Sequence, residues 1–291
     1  MRYYWTSGNS CDFMKGASVV IKSFIIVAAV IVLGIAGWFY YPQYQIQQMK
    51  KQSLEASQDG SIPTYIDYFS KSENESLYHL AIGDSVIRGY GVGQHQNLVS
   101  EVSAELERQT GKQVSFNNEG INGITSTELK QLVYSGQYDG QIKKSDIITV
   151  NIGGNDVLRT IKKQRHDIPS AFKAFDTLQV NFSENLGDIV GRITEINPNA
   201  TIVFLELYNP VSPDMGYYTL AEKLLPKWNI NIYKTAQTIP GSIVVETSKV
   251  INGENLQNLS PDGVHPSQLG YKAIASLIIE QFRTSPKKAA V

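Results

Sequence analysis

Gly83-Asp84-Ser85 places a hydroxyl directly after an apolar stretch, and Asp262-Gly263-Val264-His265-Pro266 places a carboxylate three residues before an imidazole. A serine hydroxyl is a weak nucleophile unless a base lies within hydrogen-bond reach. Of the four histidines, His265 is the candidate base: His79 falls inside an expected strand, and His95 and His166 lie in polar stretches. In a loop or a first helical turn, the three-residue spacing lets Asp262 accept from the ring Nδ1–H, which leaves Nε2 to face the serine. Between these motifs come Asn118-Glu119-Gly120-Ile121-Asn122-Gly123 and Gly153-Gly154-Asn155-Asp156. Gly120 and Asn155 suit an oxyanion hole, because a glycine backbone can approach closely and a carboxamide donates without losing a proton. The set supplies a nucleophile, an oriented base and oxyanion donors, the parts of acyl transfer through a serine ester.

Each motif also has a plainer reading. Ser85 could cap a helix, Asp262 and His265 could cap the helix that starts at Pro266, and Gly120 and Asn155 could be turn residues. What favours chemistry is the way the surrounding elements would position them. Short apolar strands are expected at Tyr78–Ile82, Gln113–Asn117, Ile147–Ile152, Thr201–Leu205 and Ser242–Glu246. They alternate with helical stretches at Gln96–Thr110, Ser126–Tyr134, Ala171–Ile196, Tyr218–Thr238 and Pro266–Arg283. That alternation predicts a parallel sheet covered on both faces. In such sheets, sites gather at the carboxyl ends of the strands. Ser85, Gly120 and Asn155 follow the first three strands, and Asp262 and His265 precede the last helix, so all four segments converge on one edge.

In this order the motifs resemble the SGNH hydrolases, the GDSL esterase/lipase family, over about Leu77 to Phe282. The Ser, Gly, Asn and His of that name are Ser85, Gly120, Asn155 and His265 here. The first block reads Gly-Asp-Ser-Val instead of Gly-Asp-Ser-Leu, the second is followed by Thr125 as the family pattern requires, and the last two are intact. The resemblance implies a three-layer α/β/α, flavodoxin-like sandwich with a parallel five-stranded sheet. It implies Ser85 as nucleophile, His265 as base and Asp262 as its partner. The implied oxyanion donors are the Ser85 and Gly120 backbone N–H groups and the Asn155 side chain. Anchor, stalk and the Ile-Gly-Gly-Asn-Asp block look most like membrane-tethered lipase/acylhydrolase members from Gram-positive bacteria.

Ser23 to Tyr41 carries no charge. As a helix it spans roughly 29 Å, close to the hydrocarbon thickness of a bilayer. Trp38, Phe39, Tyr40 and Tyr41 cluster at its end as in an interfacial aromatic belt, and Pro42 is expected to stop the helix. The expected organisation is a short cytoplasmic tail at 1–22, a transmembrane signal anchor at 23–41, a polar stalk at 42–76 and the hydrolase domain at 77–285. The stalk reads as helical from Tyr44 to Ala56. A buried core helix and a cleaved signal peptide are the alternatives to the anchor, the latter with Gly34-Ile35-Ala36 as its cleavage site. Met14 begins a tidier signal-like sequence than Met1.

Hydrophobic residues make up 42% and charged residues 18% of 291, the profile of a folded globular chain. A net charge of −1 gives no electrostatic reason to expect a nucleic-acid partner. Cys11 is the single cysteine, so the chain beyond it has no disulfide or thiolate metal site. No metal or organic cofactor is expected. Gly89-Tyr90-Gly91-Val92-Gly93 lacks the spacing of a dinucleotide-binding turn and reads as the rim of the site. The expected activity is ester hydrolysis outside the cell membrane, on a lipid, a phospholipid or an O-acylated wall glycan. Thioester hydrolysis or acyl transfer would use the same residues, and a non-catalytic binding module on a hydrolase fold is the alternative from another class. Arg88, Tyr90, Tyr208 and Trp228 are candidates to line the pocket, and Tyr217–Thr238 could cover it or simply pack on the sheet.

Overall fold

Strands with β-branched and aliphatic residues build the centre of the molecule, as seen in a computed structural model that describes residues 9–56, 62–163, 168–215 and 218–287. The chain opens with α1 (Asn9–Ala56) and α2 (Tyr65–Lys71), then β1 (Ser76–Gly83), the one-turn α3 (Ser85–Arg88) and α4 (Leu98–Thr110). It continues with β2 (Gln113–Gly120), α5 (Ser126–Tyr134), α6 (Asp139–Lys144), β3 (Ile147–Asn151), α7 (Gly154–Lys163) and α8 (Ile168–Ile196). Then follow β4 (Thr201–Leu205), α9 (Tyr218–Gln237), β5 (Ile243–Val245), two short 3₁₀ turns at Thr247–Lys249 and Leu256–Asn258, and α10 (Gln268–Thr284).

All five strands are parallel, in the order β2-β1-β3-β4-β5, the flavodoxin-like order. β3, β4 and β5 are buried along their whole length, as expected for a sheet with helices on both faces. One core lies under α5, α6, α8 and α9 and includes Ile82, Val150, Phe182, Phe204 and Trp228. The other lies under α2, α4 and α10 and includes Leu77, Val99, Val203, Tyr271 and Phe282. The sheet covered on both faces is the one the strand–helix alternation predicts, and the three-layer α/β/α sandwich is the one the family resemblance implies.

Two features depart from expectation. Pro42 does not end the first helix: α1 runs through it to Ala56. A proline inside a helix costs about 3 kcal/mol through the lost N–H and the ring clash. Packing against α9 offsets this, because Ile46 is buried and Met49 joins the same core. Lys50 Nζ also meets Glu246 Oε2 at 2.6 Å. The segment from Ile46 to Lys50 is therefore docked on the domain. The second departure is α2, which lies within the stretch read as stalk. Thr64 and Asp67 form a capping box at its start, and Tyr65 and Phe69 are buried against Phe282. The folded body thus reaches upstream of Leu77. Of the tail, residues 1–8 lie outside the described residues.

Candidate active site

β1 ends at Gly83, and the chain turns at once into α3. Asp84 caps α3 by accepting from the Val86 N–H at 2.9 Å, and it accepts a second bond from Asn151 Nδ2 at 3.0 Å. The turn after β1 is thereby pinned to the end of β3. Burial pushes the Asp84 carboxyl up to about 6, against the opposing pull of those two donors. Ser85, the first residue of α3, is held at the carboxyl edge of the sheet by this frame.

His265 comes from the loop before α10. Its Nε2 lies 2.8 Å from Ser85 Oγ, and its Nδ1 lies 2.6 Å from Asp262 Oδ2. The other oxygen of Asp262 accepts three more bonds, from Ser260 Oγ at 2.6 Å, the Val264 N–H at 2.9 Å and the His265 N–H at 3.0 Å. Partial burial works against ionisation of Asp262, but these donors and the imidazole outweigh it and hold the carboxyl well below the ordinary carboxylate range. From behind, the Tyr208 hydroxyl donates to the Val264 carbonyl at 2.8 Å. On the solvent side the Tyr90 ring lies 4.5 Å from the imidazole. Carboxylate, imidazole and hydroxyl form one hydrogen-bonded line across 180 residues of sequence, an arrangement suited to removing the serine proton as the oxygen attacks.

The second and third motifs are tied to that line and to each other. The Ile121 N–H donates to the Gly83 carbonyl at 2.9 Å, which fixes the loop after β2 beside the Ser85 turn. Asn155 Nδ2 donates to the Ile124 carbonyl at 2.9 Å, and Arg159 Nη2 to the Gly123 carbonyl at 2.6 Å. Asp156, buried at the start of α7, accepts from the Ser126 N–H and hydroxyl at 2.9 and 2.6 Å. Asn185 on α8 donates to the same hydroxyl at 3.1 Å. Burial raises the Asp156 carboxyl above its ordinary range despite the two bonds from Ser126.

Gly120 does not fit the role expected of it. Its N–H is given to Asn118 Oδ1 at 3.0 Å, and a Cβ there would overlap the backbone of Ile87 and Arg88. This glycine lets α3 lie directly on the end of β2. Gly123, three residues on, has a φ of +78°, its carbonyl is held by Arg159, and its neighbour Ile124 is bonded by Asn155. Among the described residues, no hydrogen bond takes the N–H of Gly123 or of Ser85. The second motif contained both glycines, and only the partner of each amide tells them apart.

Among the remaining candidates, Tyr90 faces His265 and Tyr208 supports its loop, while Arg88 is exposed. Trp228 lines no pocket at the site. It is buried against Phe182, with ring centroids 4.5 Å apart, behind Gly153. His79 is structural: it sits between Ser103 and Thr149 hydroxyls at 3.0 and 2.8 Å, and burial depresses it to about 4. His166 and Tyr217 lie outside the described residues. Motif spacing alone does not point to Ser260, Asn151, Asp156 or Arg159 as site residues; for Ser260 the Ser-x-Asp spacing before His265 is the available signal.

Over 203 residues the chain is 29% identical to the spore germination lipase LipC of Bacillus licheniformis, covering 69% of this chain and 93% of that protein. A crystal structure of the lipase Lip_vut3 from a goat rumen metagenome superposes with a TM-score of 0.63 at 26% identity, covering 71% of this chain and 97% of that one. An acetyl-xylooligosaccharide esterase from Geobacillus, Axe2, shares the fold at 21% identity, with a TM-score of 0.52 over 72% of this chain and 95% of its own. Residues 81–273 match the GDSL-like Lipase/Acylhydrolase family, and the chain belongs to that family of SGNH ester hydrolases.

Proposed function

We propose that the protein hydrolyses an acyl ester through a covalent intermediate on Ser85. His265 Nε2 takes the hydroxyl proton while Oγ bonds to the ester carbonyl carbon. The carbonyl electron pair moves onto oxygen, and that oxyanion is met by the N–H groups of Ser85 and Gly123 and by Asn155 Nδ2. As the tetrahedral centre collapses, the bond to the alkoxy oxygen breaks, and the imidazolium proton goes to the departing alcohol. Water then repeats the sequence on the acyl-enzyme, with His265 as base, and releases the acid. Asp262 holds the imidazole in the tautomer that makes Nε2 an acceptor. The observation that carries this reading is the 2.6 and 2.8 Å line from Asp262 through His265 to Ser85.

The same reading makes the apolar run of α1 a single-pass anchor with the catalytic domain outside the cell. Its support is the stretch Lys22–Gln52, whose most apolar 18-residue window has a mean hydropathy of 2.3 and no buried residue. The test of the chemistry is turnover of p-nitrophenyl esters of increasing acyl length by the full chain and by Ser85→Ala. Activity in the parent and none in the variant is the expected result. Equal activity in both would remove Ser85 from the mechanism.

A further inference from the structure

The direction of α1 relative to the sheet carries information about the substrate. A strand and the helix that returns from it run in opposite senses in a parallel sheet. α9 makes the return from β4 to β5: Asn229 bonds both the N–H and the carbonyl of Leu207, just past the end of β4, at 2.9 Å each. The residues before Asn229 therefore stand beyond the edge of the sheet that holds Ser85. The start of α9 lies against Trp38 and Phe39 of α1, and its later part lies against Lys50. Lys223 Nζ lies 5.9 Å from the Phe39 ring, Lys227 Nζ 2.8 Å from the Trp38 ring, and Lys50 Nζ 5.4 Å from the Tyr233 ring. The two helices run the same way, so the apolar run of α1 leaves the domain on the side of the catalytic edge.

A second observation agrees. Tyr90, Ile121, Met215, Leu220, Leu256 and Leu269 are each 39–58% exposed. They come from the loops and helix starts that follow β1, β2, β4 and β5, so they ring the catalytic edge. At the opposite edge, the large exposed apolar side chains among the described residues are the tyrosines 68 and 134.

We infer that the catalytic edge faces the bilayer that α1 enters, and that the substrate is an acyl ester of a bilayer lipid, presented from the leaflet surface. The inference rests on the anchor proposed above. With Trp38 and Phe39 at headgroup depth, Lys223 lies near that level. The six residues from Lys223 to Asn229 then set the strand ends about 9 Å further out. A lipid rising partly from the leaflet spans that gap while its tail stays in contact with the apolar rim.

The test uses the full chain in phosphatidylcholine/phosphatidylglycerol vesicles containing a lipid with a spin-labelled headgroup. Cys11, the single cysteine, is replaced by serine, and a bimane fluorophore is attached through Leu220→Cys or, at the opposite edge, Tyr134→Cys. Severalfold stronger quenching at position 220 is expected. Equal quenching, or stronger quenching at 134, overturns the orientation whether or not the protein is an esterase. Release of the protein from vesicles by carbonate overturns the anchor and the orientation with it. In the same vesicles, Met215→Glu/Leu220→Glu should lower phospholipid hydrolysis about tenfold by weakening contact with the leaflet. The same variant should leave p-nitrophenyl acetate turnover unchanged. An equal fall on both substrates overturns the lipid assignment, and no turnover of either substrate by the parent overturns the esterase and the lipid assignment together while leaving the orientation to the quenching result.

Discussion

Replacing Asp262 by asparagine removes one charge and one acceptor while keeping the shape, and the structure says what should follow. One carboxylate oxygen takes three donors, from Ser260, Val264 and His265, and the other takes the imidazole Nδ1–H. Asparagine has a single acceptor oxygen. Left facing the three donors, it turns its NH₂ toward Nδ1, which can accept that bond only by giving up its own proton. The proton then sits on Nε2, 2.8 Å from Ser85 Oγ, where it donates to the serine and cannot receive from it. Turned the other way, the asparagine orients His265 correctly but sets its NH₂ against two backbone N–H groups. The loop has no other partner for these groups among the described residues, so the first arrangement should win. The expected loss is about 10⁴-fold in kcat, or about 5.5 kcal/mol, the size of the wrong-tautomer effect in serine proteases. The assay is p-nitrophenyl ester turnover, with thermal unfolding to show that the variant is folded. A folded Asp262→Asn enzyme within tenfold of the parent would refute the tautomer argument.

Two further outcomes follow from packing and burial. Ile46→Ala removes a buried side chain where α1 meets α9, and should destabilise the detergent-solubilised chain by about 2–5 kcal/mol; an unchanged Tm would mean that this part of α1 is not docked. Burial raises Asp84 from 3.8 to about 6, so the folded state holds its proton more tightly than the unfolded one. This group therefore favours folding most below pH 4, and its contribution is lost as pH rises through 6, by about 3 kcal/mol at 1.36 kcal/mol per pH unit. Asp84→Asn cannot ionise, so its unfolding free energy in urea should gain on the parent by up to that amount between pH 4 and 8. A difference that does not change with pH would contradict the burial argument.

The elements that a short-range pattern could announce were visible in the chain. The strands at Ile147 and Thr201 are runs of β-branched residues, and Thr125 with Glu128 spells the capping box of α5. What the pattern could not show was set by tertiary contact. Pro42 is a local stop signal, overridden because Ile46 finds a partner on α9. α2 lies in polar sequence, and contacts with residues far along the chain, such as Phe282 and the Gly241 carbonyl, explain why Tyr65 and Phe69 are there. α7 begins with Gly154, Asn155 and Asp156, which read as a turn. The candidate nucleophile, base and carboxylate were legible because their spacing is short and their chemistry is specific. The distinction between Gly120 and Gly123 was not, since both are glycines in one motif and the difference lies in which amide Asn118 occupies.

α9 lies against α1 on both sides of Pro42, at Trp38 and Phe39 before it and at Ile46 and Lys50 after it. The proline is thus no free joint, and the sheet moves as one piece with the rod that carries it. A membrane helix answers a mismatch between its length and the local bilayer by leaning. In the single-pass arrangement proposed above, any lean of α1 would become a lean of the whole catalytic domain, lowering one side of its mouth and lifting the other. Membrane thickness would then act on this protein as a mechanical setting, adjusting how far the reaction centre stands above the lipid without altering a single contact inside it.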